Sequence, residues 1–430
     1  MKLRLSVLNF LQFAVWGAYL TSMGGYLASV GIGANIGWFY SAQGFVSIIM
    51  PALMGIIADR YMQAQRLLSL SHLVAGLSMI GLGVIGQAMG DRVTFSDLFP
   101  LYLLSIAFYM PTLALTNSVC YNALDRAKLD AVKAFPPIRI FGTIGFICSM
   151  WIVSLLGYET THVQFFVSGA WSIVMCCYSL TMPACPVNPK KERQSLYDAF
   201  GLKAFSLFKT PRMAIFFVFS MLLGCCLQIT NGYAGPFIQS FAAIDEYKDL
   251  FFVSHSNLLI SLSQISETLC ILLIPFFLGR FGIKRVMLIA MFAWMFRFGF
   301  FAIGDPSGGI WALILSMIVY GVAFDFFNIS GSLFVDNETD IDIRSSAQGV
   351  FMLMTNGIGA TIGTLAAQQV INHYVYSQPA GEAQIEGWSH SWLIFAGYAL
   401  VVAVLFMIIF KEKKTKETSR DIKEAEADAI

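Results

Sequence analysis

The sequence predicts an all-α membrane protein: twelve transmembrane helices in two pseudo-symmetric six-helix bundles. Three observations carry this reading. Of 430 residues, 57% are hydrophobic and 12% charged, with a mean hydropathy of +0.69, whereas soluble proteins carry about 45–50% apolar and about 25% charged residues. The apolar residues form runs of about 20 or more, the length a helix needs to cross a hydrocarbon core of about 30 Å. One long polar stretch divides these runs into equal halves. A soluble enzyme, a disordered chain and a secreted disulfide scaffold are excluded, because a fold of this length has too little core for so much apolar surface. Barrel strands, with about ten alternating residues each, are too short to explain the runs.

In chain order, Lys2 and Arg4 precede an apolar run over 5–30. It is too long for the core of a signal peptide and no small-residue cleavage site follows, so it reads as a retained first span. Spans 2 to 6 are predicted at 36–58, 66–88, 98–122, 135–157 and 162–183, with breaks at Asp59-Arg60 and Gly90-Asp91-Arg92. The polar stretch from Ala184 to Pro211 contains Pro-Lys-Lys-Glu-Arg at 189–193. Leu196, Phe200, Ala204 and Phe208 fall on one face of a predicted surface helix within it. Spans 7 to 12 follow at 212–241, 251–279, 285–303, 308–334, 345–372 and 389–410, broken at Gly304-Asp305-Pro306 and Pro379-Ala380-Gly381. The expected units are an N-terminal bundle (1–187), a cytoplasmic linker (188–210), a C-terminal bundle (211–411) and a charged cytoplasmic tail (412–430).

The 27 basic and 26 acidic residues leave a net charge of +1, so no global field points to nucleic acid. Their placement is uneven. If the N-terminus is cytoplasmic, the inner segments hold Arg60, Arg66, Arg126, Lys128, Lys133, the cluster from Lys190 to Arg212, Arg280, Lys284, Arg285 and Arg344, and the outer loops only Arg92 and Lys248. This positive-inside asymmetry predicts two cytoplasmic termini. The eight cysteines lie almost entirely in apolar runs without a C-x-x-C pair, and the five histidines lack metal-like spacing; neither a metal nor a cofactor is expected. Asp336, Glu338, Asp340 and Asp342 could be imagined holding Mg²⁺ in a membrane-embedded transferase, but a solvated charge run explains them better. No phosphate loop is present, so ATP-driven transport has no engine and no catalytic residue is assigned.

The halves echo each other. Gly55-Ile-Ile-Ala-Asp59-Arg60 lies between spans 2 and 3, and Pro275-Phe-Phe-Leu-Gly279-Arg280 lies between spans 8 and 9, 220 residues later. Gly142-Thr143-Ile144-Gly145 in span 5 is echoed by Ala360-Thr361-Ile362-Gly363 in span 11, offset by 218. Two echoes at nearly one offset indicate an internal repeat. With Gly55, Asp59, Arg60 and Arg66 in its loop 2–3, the chain resembles the major facilitator superfamily. The resemblance implies two bundles that rock around a central site and gives Gly55, Asp59 and Arg60 a conformational role.

Ionisable groups inside spans are costly, which makes each a functional candidate. Four stand out: Arg139, Glu267, Arg297 and Asp325. Arg297 and Asp325, on adjacent spans, form the simplest internal ion pair, which would leave Glu267 and Arg139 for a cavity. Helical spacing groups further polar and aromatic residues into stripes: Arg139, Thr143 and Phe146; Gln228 and Asn231; Gln264 and Glu267; Tyr320, Phe324 and Asn328. Any one stripe has a packing explanation, since amides tie membrane helices together. Four at comparable depth point to a hydrated cavity. Amides and a carboxylate suit hydroxyls and heterocycle edges, and aromatic faces suit a flat ring. A neutral molecule with a sugar and a base fits this lining, and a plain sugar fits nearly as well.

Phe135-Pro-Pro-Ile-Arg139-Ile-Phe-Gly-Thr143-Ile-Gly-Phe146, Leu227-Gln228-Ile-Thr-Asn231, Ser263-Gln264-Ile-Ser-Glu267 and Tyr320-Gly-Val-Ala-Phe324-Asp325-Phe-Phe-Asn328 resemble segments of the bacterial nucleoside:proton symporters. The similarity runs from Phe10-Leu-Gln-Phe to Trp392-Leu-Ile-Phe-Ala-Gly-Tyr398. It implies a proton-coupled nucleoside importer of the bacterial cytoplasmic (inner) membrane, monomeric, with nucleoside, proton and lipid as partners. It also implies that Arg139, Thr143, Phe146, Gln228, Asn231, Gln264, Glu267, Tyr320 and Phe324 bind substrate. Asp325 matches an acid associated with proton coupling, and Glu267 is the second carboxylate in a suitable span. A proton-coupled carrier for sugars or other neutral solutes is the alternative.

Overall fold

The computed structural model describes residues 1–185, 187, 202–340 and 343–411, apart from the side chains at 52, 59, 132, 202–204 and 345. Leu196 and Phe200 of the predicted surface helix, Asp342 and the 412–430 tail lie outside the described residues, as does the Asp59 side chain.

Among the described residues, twelve membrane spans follow in order. Span 1 is Lys2–Gly17 and, after a turn, Met23–Ser29; span 2 is Ile36–Arg60, span 3 Ala64–Met89, span 4 Phe95–Arg126, span 5 Ala131–Leu155 and span 6 Val163–Ser179. Span 7 is Pro211–Gly224 and, after a second turn, Ile229–Ser240. Spans 8 and 9 are the two arms of Ser256–Ile303, span 10 is Ile310–Glu338, span 11 runs from Arg344–Met352 into Ala360–Ile371 through a π turn, and span 12 is Glu382–Ile409. The termini and the loops after spans 2, 4, 8 and 10 share one end of the bundle; the opposite end is called the far end below.

Several boundaries depart from the sequence expectation. Spans 1 and 7 are not continuous. Each unwinds near mid-depth, and a tyrosine hydroxyl from another span takes a carbonyl freed there: Tyr40 donates to Leu20 O, and Tyr398 to Leu222 O at 2.7 Å. Hydrocarbon tolerates an open turn only when its polar groups are satisfied in this way. Spans 8 and 9 turn without a loop because Gly282 adopts φ 75°, a region that disfavours side chains. Span 12 starts two turns earlier than its apolar run, at Glu382, where acidic residues suit the positive end of a helix. The described part of the linker, Leu202–Lys209, is a 3₁₀ helix. Its three-residue repeat aligns Phe205 with Phe208; these two rings stack, and Phe208 packs on Phe217. The Ala204 side chain of the predicted face lies outside the described residues.

The repeat is visible in packing. A Cβ on Gly145 of span 5 would stand 2.2 Å from Phe10 O of span 1, and one on Gly363 of span 11 would stand 2.2 Å from Cys225 Cα after span 7. The glycine echo thus marks the same close crossing in both halves. One apolar core runs through the C-terminal half and across into the far-end part of the N-terminal half. The N-terminal half closes its other end with a separate core around Leu8, Leu68, Val119 and Met175. The halves therefore share a core at the far end and part toward the termini.

Candidate functional site

Where the halves part, a cavity of about 830 Å³ opens at mid-depth. Span 5 lines it with Arg139, Thr143 and Phe146, span 7 with Gln228 at the end of its turn and Asn231 in the half-helix after it, span 8 with Gln264 and Glu267, and span 10 with Tyr320 and Phe324. All nine residues singled out from the sequence thus face one space. Gln228 sits at the N-cap of Ile229–Ser240 and accepts from Asn231 Nδ2 at 2.8 Å. The break in span 7 therefore puts a half-helix N-terminus, with its partial positive charge, beside the cavity.

The two rims differ. Arg139 lies over the Phe13 ring, its Cζ 3.9 Å from the centroid, and makes no ion pair among the described residues. It is near enough to Glu267 for their charges to interact. Phe146 stands edge-on to Trp16 at 6.3 Å. Opposite, Tyr320 and Phe324 stack at 5.6 Å with an 11° interplanar angle. An aromatic wall on each side with amides and one carboxylate between them suits a flat heterocycle carrying hydroxyls.

Asp325 is not part of the wall. It is 5% exposed, its Oδ2 has no hydrogen-bond partner among the described residues, and its charge interacts with that of Glu267. The Arg297–Asp325 ion pair expected from the sequence does not form among the described residues. Arg297 Nη1 instead donates to Ser316 O at 2.8 Å and Ser263 Oγ at 3.3 Å. Ser316 lies toward the far end of span 10, so the guanidinium reaches away from Asp325. Asn328, the last member of its stripe, falls behind Phe324. Gly55 and Arg60 end span 2 away from the cavity, and a Cβ on Gly55 would meet open space. The Asp336 and Glu338 carboxylates pair with Arg344 at 3.0 Å and Arg212 at 2.5 Å.

Toward the termini the cavity is lined by Pro51, Ser346, Gly349, Met352 and the linker's Phe205. At the far end the halves are locked. Glu159, between spans 5 and 6, is 3% exposed; its Oε1 accepts from Asn257 N at 3.0 Å, and its Oε2 from Ser256 Oγ at 2.5 Å and Gln239 Nε2 at 3.1 Å. Asn257 Nδ2 reaches Ser22 Oγ at 2.6 Å. Beside it, Gln368 of span 11 accepts from Gly37 N at 2.5 Å and Tyr233 at 2.8 Å.

A family model described as nucleoside H⁺ symporter matches residues 1–415. The xanthosine permease of Escherichia coli K12 is 49% identical over 413 residues, 95% of this chain and 96% of that protein. Nucleoside permease NupG of the same organism is 46% identical over 420 residues, 97% of each. The crystal structure of nucleoside transporter NupG superposes with a TM-score of 0.86 over 96% of this chain and 99% of that one. The chain belongs to the nucleoside H⁺ symporter family. It is a multi-pass membrane transporter for proton-coupled nucleoside import, not an enzyme. A D-xylose–proton symporter structure, 14% identical with a TM-score of 0.68 over 96% of this chain and 98% of that one, shares the major facilitator fold.

Sequence reasoning passed over several groups on this symporter's cavity: Phe13 and Trp16 of span 1, Gln43 and Ser47 of span 2, Phe205 of the linker and Asn356 of span 11. The i, i+3 and i, i+4 spacings of Phe13–Trp16 and Gln43–Ser47 were available as signals. In a membrane helix, however, such stripes usually pack against neighbours. Glu159 was also missed, because a single acid in a short loop looks like ordinary solvated charge.

Proposed function

We propose that this symporter imports nucleosides into a bacterial cytoplasm by alternating access, with the substrate held between the two aromatic walls. Gln228, Asn231, Gln264 and Glu267 hydrogen-bond the ribose and the base edges, Arg139 and Thr143 complete the polar rim, and Phe146, Tyr320 and Phe324 take the base faces. Asp325 carries the proton, while Glu267 acts chiefly as substrate acceptor. The observation that supports this most is the convergence of nine residues from four spans on one cavity. The positive-inside charge pattern supports cytoplasmic termini in the inner membrane, so the open mouth faces the cytoplasm and the locked end faces outward. Gly55, Asp59 and Arg60, at the end of span 2, serve the conformational change between the bundles. A monomer with bundle limits at 1–187 and 211–411, a linker at 188–210 and a tail at 412–430 completes the reading.

Uptake of labelled uridine by cells expressing the chain tests it. Accumulation is expected to collapse when an uncoupler dissipates the proton gradient, and unlabelled nucleosides should compete where free ribose does not. Uptake insensitive to the uncoupler would remove the proton from the mechanism.

A further inference from the structure

Arg297 is a cation at mid-membrane depth, 2% exposed, without a carboxylate partner among the described residues. A lone buried charge is costly, so what surrounds it matters. Two oxygens, Ser316 O and Ser263 Oγ, accept from Nη1, and Ser316 Oγ donates back to Arg297 O at 2.9 Å. The remaining contacts are aromatic: Cζ lies 4.4 Å from the centroid of Tyr320 and 5.5 Å from that of Phe301. All of these neighbours except Phe301 belong to the cavity wall or adjoin residues that do. Ser263 precedes Gln264, Ser316 is one turn from Tyr320, and Tyr320 itself stacks on Phe324. Trp294, one turn before Arg297, stands edge-on to Tyr320 at 6.0 Å and 89°.

We propose that Arg297 is a positioning residue for base recognition: its guanidinium fixes the Tyr320–Phe324 pair and polarises it toward electron-rich purine rings. A cation over an aromatic face draws its π density, which leaves Tyr320 a poorer electron donor in stacking and a better hydroxyl donor. The first change favours a large, electron-rich base over a small, electron-poor one. The inference rests on the reading that Tyr320 and Phe324 face the base.

The test is equilibrium binding of adenosine and uridine to the purified full chain, with melting temperatures measured alongside. Arg297→Met is expected to lose about five- to thirty-fold in adenosine affinity, the range a desolvated cation–π contact commands, and clearly less for uridine. Arg297→Lys, which keeps the cation, should restore the adenosine-to-uridine ratio. In a Tyr320→Leu background, Arg297→Met should change neither affinity further, because coupling needs the ring. If Arg297→Met fails to fold, Arg297→Gln is read in its place. Equal losses for both nucleosides, failure of the lysine to restore the ratio, or additive effects with Tyr320→Leu would overturn the proposal. If Tyr320→Leu alone leaves both affinities unchanged, the site reading itself fails. If Tyr320→Leu weakens binding and Arg297→Met does not, only this inference fails.

Discussion

Two carboxylates stand near the central cavity in different settings. Glu267 is half-buried on the wall, whereas Asp325 is tucked behind it with Oδ2 unpartnered. A symporter needs a group whose protonation differs between its facing states, and an ionisable carboxylate inside a span is the natural candidate. A group off the wall can exchange its proton without competing for the substrate. Asp325→Asn is therefore expected to abolish accumulation of uridine driven by a pH gradient while sparing gradient-free exchange, and Glu267→Gln to impair both. Concentrative uptake by Asp325→Asn would sink the assignment. The aromatic walls give a separate prediction. Base stacking on a side chain is worth about 1–3 kcal/mol, so Phe324→Leu and Phe146→Leu should weaken nucleoside binding about five- to a hundred-fold. Parental uridine transport by both variants would show that the base does not stack there.

At the scale of elements, the twelve spans and their two-half organisation were legible because hydropathy averages over about 20 residues. The site was legible because polar groups are conspicuous in apolar runs: Arg139, Gln264 and Glu267 could hardly be lipid-facing. What hydropathy cannot register is a change of backbone within an apolar run. Cys225-Cys226-Leu227 carries no proline and little polarity, yet the helix unwinds there, since its stability depends on partners that the local sequence does not contain. One such partner is Tyr398. Its hydroxyl donates to Leu222 O at 2.7 Å, beside a longer bond from Cys225 N at 3.3 Å, and one such hydrogen bond is worth about 0.5–1.5 kcal/mol. Tyr398→Phe should lower the melting temperature, and because Gln228 sits at the end of that turn, it should also weaken nucleoside binding. A lower melting point with parental binding would mean that the turn keeps its shape without the tyrosine.

Considered as a whole, the molecule is asymmetric along its long axis: parted at the termini, joined at the far end. Rocking of two bundles requires the far-end contacts to break in every cycle, so their strength sets the balance between the two facing states. Glu159 is the densest of these contacts. Its carboxylate, anchored in the N-terminal half, accepts three hydrogen bonds from Gln239, Ser256 and Asn257 of the C-terminal half, two of them at the start of span 8. An anion at a helix N-terminus is further favoured by the helix dipole. These bonds exist only while the far end is closed, so removing them destabilises that state selectively. Glu159→Ala leaves several buried donors unpaired, at about 1–3 kcal/mol each, enough to shift the equilibrium toward the opposite facing state by about tenfold or more. The readout is the rate at which a membrane-impermeant maleimide, applied from the far-end side, labels a cysteine placed at Ser22, which lies inside the closed contact. Ser22→Cys alone should react slowly, and the same cysteine with Glu159→Ala about tenfold faster, with nucleoside affinity measured from the termini side falling in proportion. Glu159→Gln should lie between the two, because an amide keeps one acceptor for the start of span 8. Equal labelling rates in all three proteins would mean that Glu159 does not hold the halves together, leaving the closed end to Gln368 and the shared apolar core.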